Sequence, residues 1–543
     1  MKIALAQQNY HIGNFEHNIQ KILAGIEEAV GQGAELVVFS ELCVCGYPPR
    51  DFLEFNDFIN KCYQAIDVIK DKTENIGVIV GCPVRNSSSE GKNLFNAAWV
   101  LHKREVKAIV HKTLLPTYDV FDEYRYFEPS FEWNVVEFNN IRIALTICED
   151  LWNLSDKPLY RSAPMDKLIK QNPDIMINIS ASPFDYDHDD DRREVIRANV
   201  LKYEIPIVYC NTVGSQTEIV FDGGSLVLDK KGSIVKEMKY FEEDFAIVDT
   251  DNLKSSGAPV QPDDNLGQIY SALKLGIKDY FRKMGFTKAI LGSSGGIDSA
   301  VTMAIACDAL GAENVRAILM PSQYSSDHSV EDAVQLSNTL QNPYDIIPIK
   351  NVYDAFLKEL KPVFNDLPFS IAEENIQSRT RGNLLMAIAN KFGYILLNTS
   401  NKSELATGYG TLYGDMAGGL SVLGDVYKTQ VFALAKYINR TKEIIPVNII
   451  AKPPSAELRP GQKDSDSLPE YDVLDKVLYQ YIENRKGPSE IIATGVDQAL
   501  VARILKMVNT NEYKRNQFCP IIRISRKAFG VGRRMPIVGK YLS

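Results

Sequence analysis

The stretch that decides the fold of the second half of this chain is Ile290-Leu291-Gly292-Ser293-Ser294-Gly295-Gly296-Ile297-Asp298-Ser299. Its first residues end an apolar run at 288–291, which predicts a short buried strand. It precedes an amphipathic pattern at 300–310, which predicts a helix ended by Gly311. The glycines therefore fall where a strand turns into a helix N-terminus. The backbone N–H groups of such a turn can bind phosphate, because Gly295 and Gly296 have no Cβ to hold an anion away.

This loop also has the side chains that a bound nucleotide requires. Ser294 and Ser299 add hydroxyl donors, and Asp298, in the first turn of the helix, can hold Mg²⁺ on the phosphates. The Gly-Lys-Ser/Thr ending of a Walker A loop is missing. The order Ser-Gly-Gly-x-Asp-Ser instead resembles the pyrophosphatase loop of enzymes that split ATP between its α- and β-phosphates, although a capped helix with a Gly-rich turn remains an alternative. The resemblance implies ATP contacts for Gly292, Ser293, Ser294, Gly295, Gly296, Ile297, Asp298 and Ser299.

Length and composition predict a multidomain globular protein. The 543 residues are too many for one ordinary core. The 60 Lys and Arg residues against 69 Asp and Glu give a net charge of −9, which argues against a nucleic-acid partner. The first residues predict a strand rather than a signal peptide, and no apolar run approaches the roughly 18 residues that a membrane span needs. The eight scattered cysteines, Cys43 and Cys45 among them, then predict reduced packing thiols in a cytoplasmic protein without a membrane partner.

From residue 1 to about 250, apolar strands alternate with helical patterns. Several strands are too uniformly apolar to be exposed on either face, which predicts an α/β layered domain with a buried sheet. Three strand ends carry reactive groups: Glu41, Lys112 and Cys148. The predicted strands are 3–6, 36–39, 76–81, 97–102, 143–147, 175–179 and 207–210, and the predicted helices are 15–30 and 192–203.

Each of the three reactive residues alone has an ordinary structural explanation, as a solvated acid, a surface lysine or a small buried hydrophobe. Together, and with Ala6-Gln7 and the stretches 46–51 and 178–184, they resemble the nitrilase/amidase superfamily over the whole N-terminal half. The resemblance implies an α-β-β-α sandwich that cleaves an amide. Cys148 would attack, Glu41 would take the thiol proton, and Lys112 would donate to the tetrahedral oxyanion.

The same resemblance implies that the amide is that of glutamine, with Tyr118 and Ser182 near the substrate. In this family a lysine is common a few residues after the Ser-Pro pair, but residues 185–191 of this chain read Asp-Tyr-Asp-His-Asp-Asp-Asp. His188 and Arg192 are the nearest substitutes for a group that binds the glutamine carboxylate. We place His188 in the glutamine site as an expectation and leave the carboxylate clamp open.

A domain boundary is predicted between 251 and 265, where apolar periodicity disappears. After a helix at 266–284, strands and helices alternate, and this predicts a doubly wound parallel sheet that binds ligands beyond the carboxyl ends of its strands. We therefore divide the chain into an amidase-like domain at 1–250, a linker at 251–265 and a second domain at 266–543. The further strands are predicted at 315–320, 345–349 and 394–397, and the helices at 330–340, 352–360 and 373–390.

Motifs at the ends of these strands resemble the NAD⁺ synthetase family: 320–326, 374–379, 398–404, 424–429 and 453–460. The resemblance implies an ATP pyrophosphatase fold, similar to that of adenine nucleotide α-hydrolases. It places Thr399 on ATP, Asp298 and Glu404 near Mg²⁺, and Asn375, Glu404 and Lys514 on deamido-NAD⁺. Whether Arg379 and Lys428 contact substrate or only neutralise phosphates stays open. Residues 453–468, rich in Pro, Ser and Asp, are predicted to form a mobile cover.

Together the two resemblances imply a glutamine-dependent NAD⁺ synthetase of two domains. Such an enzyme adenylates deamido-NAD⁺ with ATP and Mg²⁺, then aminates it with ammonia passed through a sheltered channel from glutamine. A homo-oligomer is expected, with the basic cluster at 526–534 contacting a phosphate or a neighbouring subunit.

Three alternatives are weaker. Another amidotransferase with this loop should lack the motifs at 374–379 and 453–460. An RNA-modifying enzyme with the same loop should be basic. A non-enzymatic scaffold would not need Glu41, Lys112 and Cys148 together.

Overall fold

The computed structural model describes residues 1–154, 157–186, 188–253 and 264–542, without the side chains of residues 188–191 and 327. The chain divides into two compact units, Met1–Pro262 and Asp263–Ser543. Most of the predicted linker, residues 254–263, lies outside the described residues. Within the described ranges, no helix combines the length and the apolar character that crossing a bilayer requires.

The N-terminal unit follows the alternation predicted from its apolar runs. Its strands are β1 (Lys2–Gln7), β2 (Leu36–Val38), β3 (Gly77–Gly81), β4 (Val84–Arg85), β5 (Leu94–Phe95), β6 (Ala97–His102), β7 (Glu105–His111), β8 (Val136–Phe138), β9 (Ile141–Ile147), β10 (Ile175–Ser180), β11 (Ile207–Asn211), β12 (Val213–Gln216), β13 (Ile219–Asp222), β14 (Leu226–Leu228), β15 (Ile234–Glu237) and β16 (Asp244–Asp249). Its α-helices are α1 (Phe15–Gly31), α2 (Asn56–Lys70), α3 (Glu123–Tyr126), α4 (Pro164–Leu168) and α5 (His188–Tyr203).

Two sheets form the centre of this unit, in the strand orders β16-β1-β2-β3-β6-β7 and β15-β14-β11-β10-β9-β8. Side chains from both sheets, such as Leu5 and Val38 from the first and Leu145 and Ile177 from the second, share one buried cluster. The sheets therefore pack face to face. Helices α1 and α2 cover the outer face of the first sheet, and α4 and α5 cover that of the second. The predicted α-β-β-α sandwich is confirmed.

The C-terminal unit alternates strands and helices as far as β20 and then becomes mainly helical. Its strands are β17 (Ala289–Gly292), β18 (Val315–Leu319), β19 (Tyr344–Ile346), β20 (Ile395–Asn398) and β21 (Leu420–Ser421). Its α-helices are α6 (Asn265–Met284), α7 (Ile297–Leu310), α8 (Asp327–Leu340), α9 (Lys350–Phe364), α10 (Ile371–Phe392), α11 (Lys402–Thr407), α12 (Lys428–Ile438), α13 (Val447–Ala451), α14 (Tyr471–Ile482), α15 (Pro488–Ile492), α16 (Gln498–Thr510) and α17 (Glu512–Arg515).

These five strands are all parallel and lie in the order β19-β18-β17-β20-β21. Strand β17 is central, so the chain winds away from it first to one side and then to the other, which confirms the doubly wound sheet. On one face, α10 packs on the sheet through Leu385 and Ala389, which contact Ile290 and Leu396. The loops that follow β17 and β20 flank the point where the winding reverses, and sheets of this type bind ligands there.

Helix α7 differs from its prediction in two ways. It begins at Ile297 rather than near residue 300, because the turn at Gly296 ends directly in the first helical residue. It is also buried on nearly all sides, from Ser299 through Cys307, rather than amphipathic. The reason is that α6 and α12 pack beside α7 and cover the face that the prediction left to solvent.

Candidate functional sites

The first candidate site lies where three strands of the N-terminal unit end. Glu41 follows β2, Lys112 follows β7 and Cys148 follows β9. The Lys112 ammonium lies 2.7 Å from Glu41 Oε1 and 2.8 Å from Glu123 Oε1, and the side chains of Lys112 and Glu41 are fully buried. Asn96 donates to Glu41 at 2.7 Å and to Glu123 at 3.3 Å. Buried charges persist only when they are paired and hydrogen bonded, and this cluster meets both conditions.

The electrostatics of this cluster keep its lysine charged. Burial alone would lower the pKa of Lys112, but the carboxylates of Glu123 and Glu41 raise it well above its ordinary value. Burial raises the pKa of Glu123 to about 7, although Lys112 opposes this shift. The ammonium is therefore a fixed cation between two acids, able to donate to an oxyanion that forms beside it.

Cys148 stands next to this cluster in a strained conformation. Its φ of +42° lies in the left-handed region, which side-chain-bearing residues rarely adopt outside functional sites. Burial raises the pKa of the thiol well above its ordinary value; the Glu41 carboxylate raises it further, and Lys112 opposes both effects. The thiol is therefore protonated at rest and needs a base before it can attack. Glu41 is held as such a base, since its second oxygen accepts from the Ala181 N–H at 3.0 Å.

Asp150 joins the strand ends that carry Lys112 and Cys148. Its Oδ1 accepts from the N–H groups of Thr113 and Leu114 at 3.0 and 2.8 Å, and its Oδ2 accepts from the Ile147 N–H at 3.1 Å. Burial raises the pKa of Asp150 to about 7. This carboxyl group therefore links the two strand ends through the backbone N–H groups of residues next to the lysine and the cysteine.

Glu149, the next residue after Cys148, forms a polar wall of this site. Its carboxylate accepts from the Tyr118 hydroxyl at 2.9 Å and from the Tyr160 hydroxyl at 3.0 Å. Tyr118, predicted to bind glutamine, thus contacts the residue that directly follows Cys148. Ser182, also predicted there, directly follows Ala181, whose N–H bonds to Glu41, and its own N–H donates to Asn211 at 2.9 Å.

The two candidates for the carboxylate clamp have different outcomes. The side chain of His188, at the start of α5, lies outside the described residues, so its place in the glutamine site stays a prediction. Arg192 forms a bidentate pair with Asp222 at 2.8 and 2.7 Å, and both side chains are 2% exposed. Arg192 is therefore held inside the unit and does not serve as a glutamine clamp in this structure.

The second candidate site is the glycine turn after β17, which opens into a cavity of about 310 Å³. Gly295 has a φ of +73°, and a Cβ on it would lie 2.1 Å from the Ser329 carbonyl oxygen. Gly296 donates to Ser294 Oγ at 3.1 Å, and Ser299 Oγ donates to the Gly296 carbonyl at 3.0 Å. The turn is thus closed by its own hydroxyl groups. Residues 292–294, 296–299 and Thr399 line the cavity.

Two carboxylates and one ammonium meet on the wall of this cavity. Lys428 Nζ lies 2.5 Å from Asp298 Oδ2 and 3.5 Å from Glu404 Oε1. Asn401 holds the other oxygen of Asp298 at 2.9 Å. Burial raises the pKa of Glu404 to about 8; the Asp298 charge raises it as well, and Lys428 opposes both. Lys428 therefore pairs with carboxylates in this structure, and whether it also contacts substrate or phosphate stays open.

The residues predicted to bind deamido-NAD⁺ fall into two places. Glu404 lines the cavity, whereas Asn375 and Lys514 both hold the neighbouring segment 408–415. Thr411 donates to Asn375 Oδ1 at 2.8 Å, and Lys514 donates to the carbonyl groups of Gly408 and Gly410 at 2.8 and 2.9 Å. Since Gly414 and Asp415 of the same segment line the cavity, Asn375 and Lys514 border it from outside.

The predicted cover does lie at the cavity. Residues 453–458 and Asp464 line it, and Glu457 accepts from Ser326 and Ser329 at 3.0 and 2.8 Å. Gln377 donates to the Leu458 carbonyl at 2.9 Å. Its mobility stays a prediction. In the predicted basic cluster, Arg533 pairs internally with Glu512 at 2.6 Å.

Sequence analysis missed several residues of the first site: Glu123, Asn96, Tyr47, Glu149, Asp150 and Tyr160. Glu123 lies in a charged stretch, 122–125, that has the composition of a surface loop. Only the fold brings its carboxyl group to Lys112 and to the Tyr47 hydroxyl, which donates to it at 2.8 Å. Glu149 and Asp150 follow the cysteine directly. Two acids next to a candidate nucleophile are a sequence signal that could have identified them as site residues.

Comparison with known families agrees with this division into two sites. The carbon-nitrogen hydrolase family model matches residues 2–256, and the NAD synthase family model matches residues 269–518. The glutamine-dependent NAD⁺ synthetase of Synechocystis is 44% identical over 98% of each chain, and that of Thermotoga maritima is 40% identical over 100% of this chain and 99% of the relative.

Solved structures extend the comparison to the fold. A glutamine-dependent NAD⁺ synthetase from Acinetobacter baumannii, in complex with ADP, is 38% identical and superposes with a TM-score of 0.78 over 99% of this chain and 98% of that one. A protein of the same name from Cytophaga hutchinsonii has a TM-score of 0.84 over the same shares at 20% identity, which shows a common fold. With two reactive centres in place and full-length relatives at this identity, the chain belongs to the family of glutamine-dependent NAD⁺ synthetases.

Proposed function

We propose that this protein converts deamido-NAD⁺ to NAD⁺ with ATP, using ammonia that it releases from glutamine, and that AMP, pyrophosphate and glutamate are the other products. The observation that supports this most directly is Lys112, fully buried between Glu41 and Glu123 beside Cys148. A cation and two acids cost free energy to bury and add nothing to packing that apolar side chains could not supply. Their retention is explained by chemistry at the thiol.

In the glutaminase reaction, Glu41 takes the proton from the Cys148 thiol and the thiolate attacks the amide carbon. The Lys112 ammonium donates to the oxygen, on which negative charge develops. The C–N bond then breaks and ammonia leaves with a proton from the protonated Glu41. Water, activated by the same carboxylate, hydrolyses the thioester to glutamate.

Glu149 accounts for a preference for glutamine over simpler amides. Its carboxylate is fixed by two tyrosine hydroxyls, of Tyr118 and Tyr160, one residue away from the nucleophile. The α-ammonium group of glutamine is a cation that a fixed carboxylate would bind, and a simple amide lacks it. We assign Glu149 and Tyr118 to this end of the substrate; Ser182 and His188 remain the proposed contacts elsewhere in the glutamine site.

In the synthetase reaction, the turn 292–299 and Thr399 bind the ATP phosphates with backbone N–H and hydroxyl donors. The nicotinate carboxylate of deamido-NAD⁺ attacks the α-phosphorus, the bond to the β-phosphate oxygen breaks, and pyrophosphate leaves. Ammonia then attacks the activated carbonyl carbon and displaces AMP. Asn375, Glu404 and Lys514 are the proposed contacts of deamido-NAD⁺.

Asp298 and Glu404 are the proposed ligands of Mg²⁺, which would neutralise charge on the phosphates. The side chains present fit this ion. Asp298, Glu404 and Asp464 act on one another as like charges, with Lys428 as the ammonium among them, so the cluster favours a further cation. Among the described residues, no three His, Cys, Asp or Glu side chains form a complete metal site. Mg²⁺ commonly takes one or two carboxylates and completes its shell with phosphate oxygens and water.

The division of labour is tested by Cys148→Ala. We expect glutamine-supported NAD⁺ formation to fall at least about 1,000-fold, because the nucleophile is lost, while ammonium-supported formation stays near wild type. NAD⁺ and AMP are measured by chromatography with each nitrogen source. Cys519→Ala, a partly exposed cysteine outside both sites, is the matched control. Loss of both activities in a folded Cys148→Ala protein would contradict the division.

A further inference from the structure

Arg381 lies in the wall of the nucleotide cavity with much of its guanidinium unused. It projects from the middle of α10, and its Nε donates to the Met320 carbonyl oxygen at 3.0 Å, just beyond the end of β18. Both residues line the cavity into which the glycine turn 292–299 opens. Within the described parts of the chain, Nη1 and Nη2 of Arg381 make no hydrogen bond and no ion pair.

Two buried arginines among the described residues, Arg515 and Arg192, use their terminal nitrogens on partners inside the protein. Arg515 donates to the carbonyl groups of Leu405, Ala406 and Val508 and to the Glu512 carboxylate. Arg192 uses both terminal nitrogens on Asp222. Such arginines need no ligand, because their charge and their donors are already satisfied inside the protein. Arg381 differs from these two arginines, because its guanidinium is partly buried in a cavity wall while Nη1 and Nη2 have no partner among the described residues.

Among the described residues, no acid forms an ion pair with the Arg381 guanidinium. Burial lowers the pKa of Arg381, with Glu457 and Asp415 as the opposing charges. Glu457 Oε1 accepts from the Ser326 and Ser329 hydroxyls, and Asp415 Oδ1 accepts from the Ser378 hydroxyl and the Thr411 N–H, so these acids act on Arg381 through their charge and not through a direct bond. The terminal nitrogens of Arg381 therefore remain available in the cavity wall to an anionic ligand.

A second group points to the same kind of ligand. The hydroxyl oxygen of Ser293 has no hydrogen-bond partner among the described residues, although Ser293 is only 4% exposed. Its N–H is used, since it donates to the Ile318 carbonyl at 2.9 Å. A hydroxyl left unpaired at a buried position in a cavity wall costs free energy unless a ligand pairs with it.

We infer that Arg381 contacts the nucleotide directly and donates through Nη1 and Nη2 to its phosphate oxygens. Planar guanidinium groups bind phosphate bidentately, which a lysine does not. The inference rests on the proposed function only in that ATP occupies this cavity. Sequence analysis singled out the neighbouring Arg379 instead, but that side chain is exposed and donates to the Leu412 carbonyl at 3.2 Å.

The test compares Arg381→Met and Arg381→Lys in the full-length enzyme with Arg440→Met, an exposed arginine that stacks on Tyr437. Binding of a non-hydrolysable ATP analogue, AMP and adenosine is measured by calorimetry or competition. Charge-assisted hydrogen bonds to phosphate are worth roughly a 10- to 100-fold change in affinity. We expect Arg381→Met to weaken binding of the ATP analogue and AMP by about that factor, Arg381→Lys to recover part of it, and adenosine binding to change less than about 3-fold.

Other outcomes overturn the inference. Unchanged affinity for the ATP analogue in Arg381→Met would exclude a direct contact. If adenosine binding weakened as much as binding of the ATP analogue, Arg381 would contact the base or the ribose instead of the phosphates. Deamido-NAD⁺-dependent exchange between ATP and pyrophosphate in the wild-type enzyme separates this from the proposed function. If that exchange is present while Arg381→Met binds nucleotide normally, only the assignment of Arg381 is wrong. A circular dichroism spectrum and a thermal unfolding profile like those of the wild type show that the variants are folded in both units.

Discussion

Glu404 shows how neighbouring charges set the chemistry of a single residue. Its pKa is raised to about 8 by burial and by the Asp298 charge, with Lys428 acting in the opposite direction. Below pH 8 the folded protein therefore holds a proton on a carboxyl group that a divalent cation needs ionised. The Mg²⁺ ion that we propose at this residue would have to displace that proton, so its affinity would depend on pH.

We predict that Mg²⁺ binding, with an ATP analogue present, strengthens from pH 6 to pH 8 and levels off above it. The slope approaches about tenfold per pH unit well below the pKa, because one proton is released for each ion bound. Calorimetric titrations at several pH values measure this. Glu404→Gln should bind the ion more weakly and without the slope, and Glu313→Gln, an exposed acid elsewhere in the unit, should retain both. A flat profile in the wild-type protein would exclude Glu404 as a ligand.

The turn between β17 and α7 is the element on which the proposed nucleotide binding depends. Gly295 needs a φ of +73° there, and its α-carbon faces the Ser329 carbonyl oxygen at the start of α8. An alanine would meet two separate costs, left-handed strain of about 1–2 kcal/mol and displacement of α8 by the new methyl group.

We predict that Gly295→Ala lowers exchange between ATP and pyrophosphate at least about tenfold, because the turn and α8 can no longer keep their spacing. Gly285→Ala is the matched control. Its φ is +74°, but nothing lies within 4 Å of the added Cβ, so it carries the strain without the collision. Comparable losses of exchange activity in the two variants would show that the contact with Ser329 is not the cause of the loss in Gly295→Ala.

Much of this element-level organisation could be predicted from the sequence. Apolar runs indicate strands directly. The predicted bounds of β6 therefore agree with the structure, and Glu41, Lys112 and Cys148 do lie at or just after the ends of strands. Positions that depend on distant contacts were not predictable. Glu123 reaches Lys112 only after the sandwich has formed, and α7 is buried because α6 and α12 pack beside it. The unused donors of Arg381 have no local signature at all, since they are defined by the acids that fail to reach them.

At the scale of the whole molecule, all eight cysteines are unpaired, and each except Cys519 is buried. We predict that an aromatic disulfide reagent reacts with Cys519 before the seven buried thiols of the native enzyme, and with all eight thiols after denaturation. Even the reaction of Cys519 should be slow, because burial raises its pKa to about 12. Absorbance of the released thiolate measures both reactions, and Cys519→Ala identifies the first thiol to react. Rapid reaction of Cys43 or Cys45, which lie in the core behind the first sheet, would show that this core opens in the native state.

The three backbone hydrogen bonds that Asp150 accepts have a consequence for interpreting mutants. Asp150 has no part in the proposed proton transfer, yet its loss would leave three buried N–H groups without an acceptor and allow two strand ends to move apart. An alanine scan would record the Asp150 variant as inactive, just as it would the variant of Cys148, the proposed nucleophile. Only a structural readout, such as the conformation of residues 112–114, distinguishes the loss of a reacting group from the loss of a residue that holds the reacting groups in position.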